Sequence, residues 1–134
     1  MAQHDQFVGI DVSKARLDVC LWPQNEACVF ANDRDGLRAL IRWLRRVRPH
    51  AVGFEASGGY ERALLTALCE ADLPARRVNP MRVRQFARAA GILAKNDRID
   101  AAAIAHFCAA LPQREVVHDP ARALLRSEER RVGK

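Results

Sequence analysis

Phe7-Val8-Gly9-Ile10-Asp11-Val12-Ser13-Lys14 is the stretch on which the fold of this chain turns. Its apolar run ends in one acidic side chain, and a second run, Leu17-Asp18-Val19-Cys20-Leu21-Trp22, follows at once. The β-branched and apolar residues over 7–12 predict a strand buried on both faces. Ser13-Lys14-Ala15 is short enough for a hairpin connection, although it lacks an Asn-Gly type of turn. Asp11 then sits inside or at the end of the central strand, where a carboxylate is unfavourable unless paired or coordinated. Two readings stand at this point: a turn-capping aspartate at a strand end, and a metal ligand whose partners lie elsewhere in the chain.

Outward from that stretch, Glu26–Ala31 predicts a third strand of a meander, and Asn32-Asp33-Arg34-Asp35-Gly36 is a polar break able to cap a helix. Leu37, Leu40, Ile41, Leu44 and Val47 recur at helical spacing and predict an amphipathic helix ending before Pro49. Its arginines, Arg38, Arg42, Arg45 and Arg46, read as a solvated face ahead of a binding patch. Ala51-Val52-Gly53-Phe54 predicts a short buried strand terminating in Glu55, with Gly58 and Gly59 in the turn beyond and a helix carrying Leu64, Leu65 and Leu68. Ala75–Asn79 reads as one more strand, after which Pro80 opens a helix at its favoured first position.

From Leu73 to Asn96 there is no acidic residue, while Arg76, Arg77, Arg82, Arg84, Arg88 and Lys95 all fall in that window. Arg84 and Arg88 are one helical turn apart and share a face. Such a one-sign stretch suits a phosphate backbone and equally describes an ordinary basic helix. An Ala-rich helix opens around Asp97 and runs to about Ala110, with Asp97 and Asp100 spaced to share a face of its first turn. The same spacing is also how many helices are simply capped. The order β-β-β-α-β-α-β-α-α predicts an α/β domain with a mixed sheet, three antiparallel strands first and crossovers afterwards.

At 134 residues the chain is long enough for one domain, and its balance of 22 Lys and Arg against 16 Asp and Glu favours a polyanionic partner. Neither a membrane-spanning run nor a signal peptide is present, which makes a cytoplasmic protein the expectation. Cys20, Cys28, Cys69 and Cys108 are scattered without a CxxC, as are His4, His50, His106 and His118, so a zinc site or disulfide framework is not expected. With the first strand central and the Glu55 strand beside it, Asp11 and Glu55 would occupy neighbouring strand ends, with the Asp97 helix closing over them. Converging carboxylates repel unless protonated or bridged by cations. Mg²⁺ prefers oxygen ligands and leaves positions for phosphate oxygens, so carboxylates with a basic flank argue phosphodiester chemistry.

The motifs Gly-Ile-Asp11-Val-Ser-Lys, Phe-Glu55-Ala-Ser-Gly-Gly-Tyr-Glu, Val-Asn-Pro-Met-Arg-Val-Arg-Gln-Phe-Ala-Arg and Ala-Lys-Asn-Asp97-Arg-Ile-Asp100-Ala resemble those of DEDD-type insertion-sequence transposases. These are the bridge-RNA-guided recombinases related to Piv-like DNA invertases, and the similarity covers residues 7–126 in order. The resemblance implies an N-terminal RuvC-like domain of RNase H-like fold, a mixed five-stranded sheet flanked by helices, over residues 1–111. It implies catalytic and metal-binding roles for Asp11, Glu55, Asp97 and Asp100, with Mg²⁺ (or Mn²⁺) as cofactor. Arg82, Arg84, Arg88 and Lys95 are expected to contact nucleic acid, with Lys14 and Arg98 orienting phosphate or carboxylates. DNA, a structured guide RNA and further copies of the chain are the expected partners. Asn96 stands where the family usually has Thr, and the family's second, serine-bearing domain has no counterpart. Residues 112–134 read as a linker into a truncated helical region whose tail, Ser127–Lys134, departs from the family.

Two other functions compete. An ATP-binding domain of the actin and sugar-kinase type shares the strand order, but Lys14 replaces the small residues its first phosphate loop favours. A non-catalytic nucleic-acid-binding or oligomerisation module fits the basic balance without any chemistry.

Overall fold

A computed structural model describes residues 5–55, 58–94 and 98–111. The described residues form β1 (Phe7–Val12), β2 (Arg16–Trp22), β3 (Glu26–Ala31), α1 (Arg34–Val47), β4 (Ala51–Glu55), α2 (Arg62–Glu70), β5 (Ala75–Val78), α3 (Pro80–Ala89) and α4 (Ala101–Ala110). The five strands make one sheet in the order β3-β2-β1-β4-β5, antiparallel across β1–β2 and β2–β3 and parallel across β1–β4 and β4–β5. This is the predicted element order, with β1 central.

The hairpin closes because Ser13 donates both its backbone N–H and its hydroxyl to the Arg16 carbonyl, each at 3.0 Å. The α1 helix starts at Asp33, whose carboxylate accepts from the Gly36 N–H at 2.7 Å, and stops at Arg48 in the left-handed conformation, just before Pro49. The α3 helix is capped by Asn79, whose side-chain oxygen accepts from Met81 and Arg82, with Pro80 in its first turn.

Alternation along the strands sends side chains to two different layers. Val8, Ile10 and Val12 on β1 pair with Leu21, Val19 and Leu17 on β2 and, with Val52 and Phe54, pack against Leu37, Leu40 and Leu44 of α1 and Leu64, Leu65 and Leu68 of α2. The opposite face is covered by α3 and α4, whose Val83, Ala87, Ile104, Phe107 and Cys108 pack with Val78 of β5. This second layer lies unusually close to the strands. Gly9 and Gly53 are register partners on β1 and β4. A Cβ on Gly9 would fall 2.5 Å from the backbone nitrogen of Ala105 and overlap the Ala101 carbonyl, and one on Gly53 would fall 2.5 Å from Cys108 Sγ. Two missing side chains thus form the floor on which α4 rests, and this seats the start of α4 beside the end of β1.

Candidate functional site

Strand alternation puts Gly9 and Asp11 of β1 on the α4 face, and the parallel register puts Gly53 and Glu55 of β4 beside them. The last paired residues are Ile10 and Phe54, so Asp11 and Glu55 emerge together at the C-terminal ends of two adjacent parallel strands. Ligands of α/β proteins commonly bind at this end of a parallel sheet. The β1 strand is thus committed at one end to a glycine-floored helix contact and at the other to a half-buried carboxylate.

Burial and neighbouring charges act together on these carboxylates. Burial pushes the Asp11 carboxyl up; Arg98 opposes that shift, while Asp18 and Asp100 reinforce it. Burial likewise pushes Glu55 up, the Asp11 charge adds to the effect, and Arg84 and Arg98 pull it back. The Arg98 guanidinium lies 3.3 Å from Asp11 Oδ2, its own side chain 80% exposed against 15% for Asp11. An exposed arginine therefore supplies the cation that two half-buried acids require.

Asp100 is exposed and caps α4, its carboxylate accepting from the Ala103 N–H at 2.9 Å. The helix begins at Ala101, later than predicted, so Asp100 precedes the first turn and does not project from it. Ile99, buried at 4% exposure, anchors the segment leading into the cap. Asp97 and Lys95 lie outside the described residues. Among the described residues no group of three or more His, Cys, Asp and Glu side chains is arranged to hold a metal ion. Of the four predicted acids, Asp11 and Glu55 meet at neighbouring strand ends, and Asp100 lies close enough to raise the Asp11 pKa.

Asp18 was absent from the sequence-derived set. It is the direct antiparallel partner of Asp11 and lines, with Asp11 and Asp100, a cleft of about 480 Å³ beside the start of α4. Arg16 holds it with two hydrogen bonds, at 2.9 and 3.3 Å. Counting the hairpin register outward from Ser13 would have found it. The basic residues divide. Arg84 acts on Glu55. Arg88 is exposed one turn further along α3, and Arg82, two residues from Arg84, points away from that face. Lys14 is exposed at the hairpin tip, three residues after Asp11.

The loops around the strand ends are fastened together. The Asn32 amide donates to the Ser13 carbonyl at 2.8 Å and to the Tyr60 carbonyl at 3.2 Å, tying the hairpin after Asp11 to the turn after Glu55. In that turn Gly58 and Gly59 both have positive φ, as the sequence expects of a Gly-rich connection. Buried Glu61 accepts from the Gly59 N–H at 3.1 Å. Cys20 and Cys108 are buried free thiols, whereas Cys28 and Cys69 are only partly buried.

A central strand ending in a carboxylate, a neighbouring parallel strand ending in another, and a helix laid over both define an RNase H-like domain of the RuvC type. RuvC of T. thermophilus, solved with a Holliday junction substrate, superposes with a TM-score of 0.60 at 23% identity, covering 85% of this chain and 100% of that one. The chain belongs to the DEDD transposase family of the IS110 type, described as a transposase, whose profile matches residues 8–130. It is also similar to the pilin gene-inverting proteins of Moraxella lacunata and Moraxella bovis, each 28% identical over 107 residues. The aligned part is 75% of this chain, and the chain spans about a third of the length of those relatives. Family membership displaces the actin and sugar-kinase reading. Among the described residues no helix is long and apolar enough to cross a membrane.

Proposed function

We propose that this domain binds DNA and cleaves a phosphodiester bond during transposition or inversion, with divalent metal held at Asp11 and Glu55. The observation that carries this is the placement of those two carboxylates side by side on adjacent parallel strands, each hindered from ionising by burial and by its neighbours. The donor set fits Mg²⁺ or Mn²⁺: hard carboxylate oxygens that a cation would relieve. Asp100, which caps α4, and Asp97, three residues before it in the sequence, would complete the set. Metal bound there would supply Lewis-acid stabilisation of a phosphate and a more acidic attacking water.

The chain's own residues do the positioning. Asp11 and Glu55 hold their oxygens in register through the strand pairing, and Arg98 balances their charge until a cation or phosphate arrives. Arg84 and Arg88 flank the site as backbone contacts, with Lys14 at the hairpin tip and Arg82 further out, and the family resemblance gives Lys95 the same role. DNA with element ends or branches is the substrate class suggested by the gene-inverting relatives and the junction-bound RuvC. A structured guide RNA and self-association belong to the same reading through the family resemblance, as does a serine-bearing domain for the complete recombination.

The test is a thermal melt with and without Mg²⁺ or Mn²⁺, paired with nicking of a four-way DNA junction. Metal should raise the Tm of the parent by mass action and leave Asp11→Ala and Glu55→Ala unmoved, with nicking lost in both. A parent whose melting ignores both metals and which nicks nothing would instead be a passive binding module.

A further inference from the structure

The face of the sheet remote from the carboxylates carries a groove of about 740 Å³ between α1 and α2. Its apolar floor includes Ile41 and Ala67, and its rim is formed by Arg34, Arg38, Arg42 and Arg45 from α1 with Arg62 from α2. All five arginines are exposed. The spacings of four, four and three residues keep the α1 arginines on one side of the helix, in steps of ~6, ~6 and ~4.5 Å along the axis. Glu70, at the far end of α2, is the one acidic residue lining the groove among the described residues. The ion pairs Arg16–Asp18 and Arg98–Asp11 lie elsewhere, and none among the described residues engages these five.

Helix stability does not explain the array. Arg45 suits the C-terminal turn of α1, where a cation complements the helix dipole. Arg34 and Arg62, however, are the first residues of α1 and α2, where the dipole disfavours a cation. Like charges one turn apart on α1 also repel one another. Both penalties vanish when an anion sits in the groove, because helix starts and guanidiniums attract it together. Guanidiniums spaced along one side of a helix can each meet a different phosphate of a strand. The sequence alone shows the α1 stripe as a solvated face; the fold adds Arg62 and a floor.

We propose that the α1–α2 groove is a second nucleic-acid site that holds the phosphate backbone of duplex DNA, on the opposite side of the sheet from the strand at Asp11 and Glu55. It stands independently of the carboxylate chemistry. Arginine contacts to phosphate hold DNA without reading its sequence.

The experiment measures binding of the 134-residue chain to a labelled DNA duplex by fluorescence anisotropy at several salt concentrations. Two phosphate contacts contribute about 1.8 to the slope of log K against log salt, so Arg38→Gln with Arg42→Gln should flatten it by that amount. At ~0.1 M salt this corresponds to a loss on the order of 50-fold. Arg46→Gln, on α1 but outside the groove, should change little, and circular dichroism checks that each variant is folded. The same loss in an Asp11→Asn background, where cleavage is removed, separates this site from the carboxylate reading. Equal losses from Arg46→Gln and the groove pair would overturn the proposal. So would tighter, groove-dependent binding of an RNA duplex, or displacement of the DNA by polyglutamate of equal charge.

Discussion

Adding one methyl group at Gly9 gives the sharpest test of how the site is built. Glycine inside a strand is ordinarily unfavourable by ~0.5–1 kcal/mol relative to alanine, so Gly9→Ala on generic grounds should stabilise. The α4 backbone reverses that sign. The new Cβ would overlap the Ala101 carbonyl and lie 2.5 Å from the Ala105 nitrogen, and neither atom can rotate away as a side chain can. Overpacking against yielding side chains costs ~1–3 kcal/mol, and contact with helix backbone belongs at or above the top of that range. We therefore expect Gly9→Ala to lose about 3 kcal/mol, lowering the urea midpoint by ~1–2 M for a domain of this size. Gly53→Ala meets Cys108 Sγ and Ile104 Cγ2, both side-chain atoms, and should lose less. Removing Sγ with Cys108→Ala should restore part of that loss, a coupling of about 1 kcal/mol in a double-mutant cycle. Equal or higher urea midpoints for Gly9→Ala would refute the argument that glycines seat the helix.

Three further outcomes follow from other features. Asp11 and Glu55 have folded-state pKa values raised above their unfolded ones, so the native state holds extra protons across that window. Stability is then greatest below the ordinary carboxylate range and falls as pH rises through the shifted values; Asp11→Asn should melt higher than the parent at pH 7, with the difference disappearing below about pH 4. Asn32→Ala removes two hydrogen bonds to backbone carbonyls and should cost ~1–3 kcal/mol by urea unfolding, leaving the secondary structure seen by circular dichroism intact. Burial pushes the Cys108 thiol up to about 12, so iodoacetamide at pH 8 should leave it unmodified in the native protein and alkylate it on unfolding, as mass spectrometry would record.

Much of the architecture could be read from residue order because hydrophobic period and turn chemistry agreed with the fold. The run over 7–12, the polar break before Arg34 and Pro80 after the fifth strand each marked an element boundary to within a residue or two. The placement of Asp11 beside Glu55 followed from two buried runs each ending in an acid. What escaped was cross-strand and three-dimensional. Asp18 became part of the cleft only through the hairpin register, which a count from Ser13 would have supplied. The start of α4 was read too early because Asp97 and Asp100 offer the same capping chemistry three residues apart, and only Asp100 caps the described helix. Gly9 and Gly53 gave no sign in sequence that a helix backbone would rest on them, since that depends on which element crosses above. The pairing of Arg62 with the α1 stripe likewise required two helices to come side by side.

The sheet divides the molecule into unequal halves. Leucines from α1 and α2 fill the layer behind it, whereas the layer bearing the acids packs Val83, Ile99, Ile104 and Phe107 around an α4 backbone set directly on the strand glycines. Six of the ten residues of α4 are buried, against three of the fourteen in α1, so lifting α4 from the strands uncovers more of its length than lifting α1 does. Amides of α4 should thus exchange with solvent deuterium no sooner than those of α1, giving an incoming nucleic acid a fixed backing behind the acids.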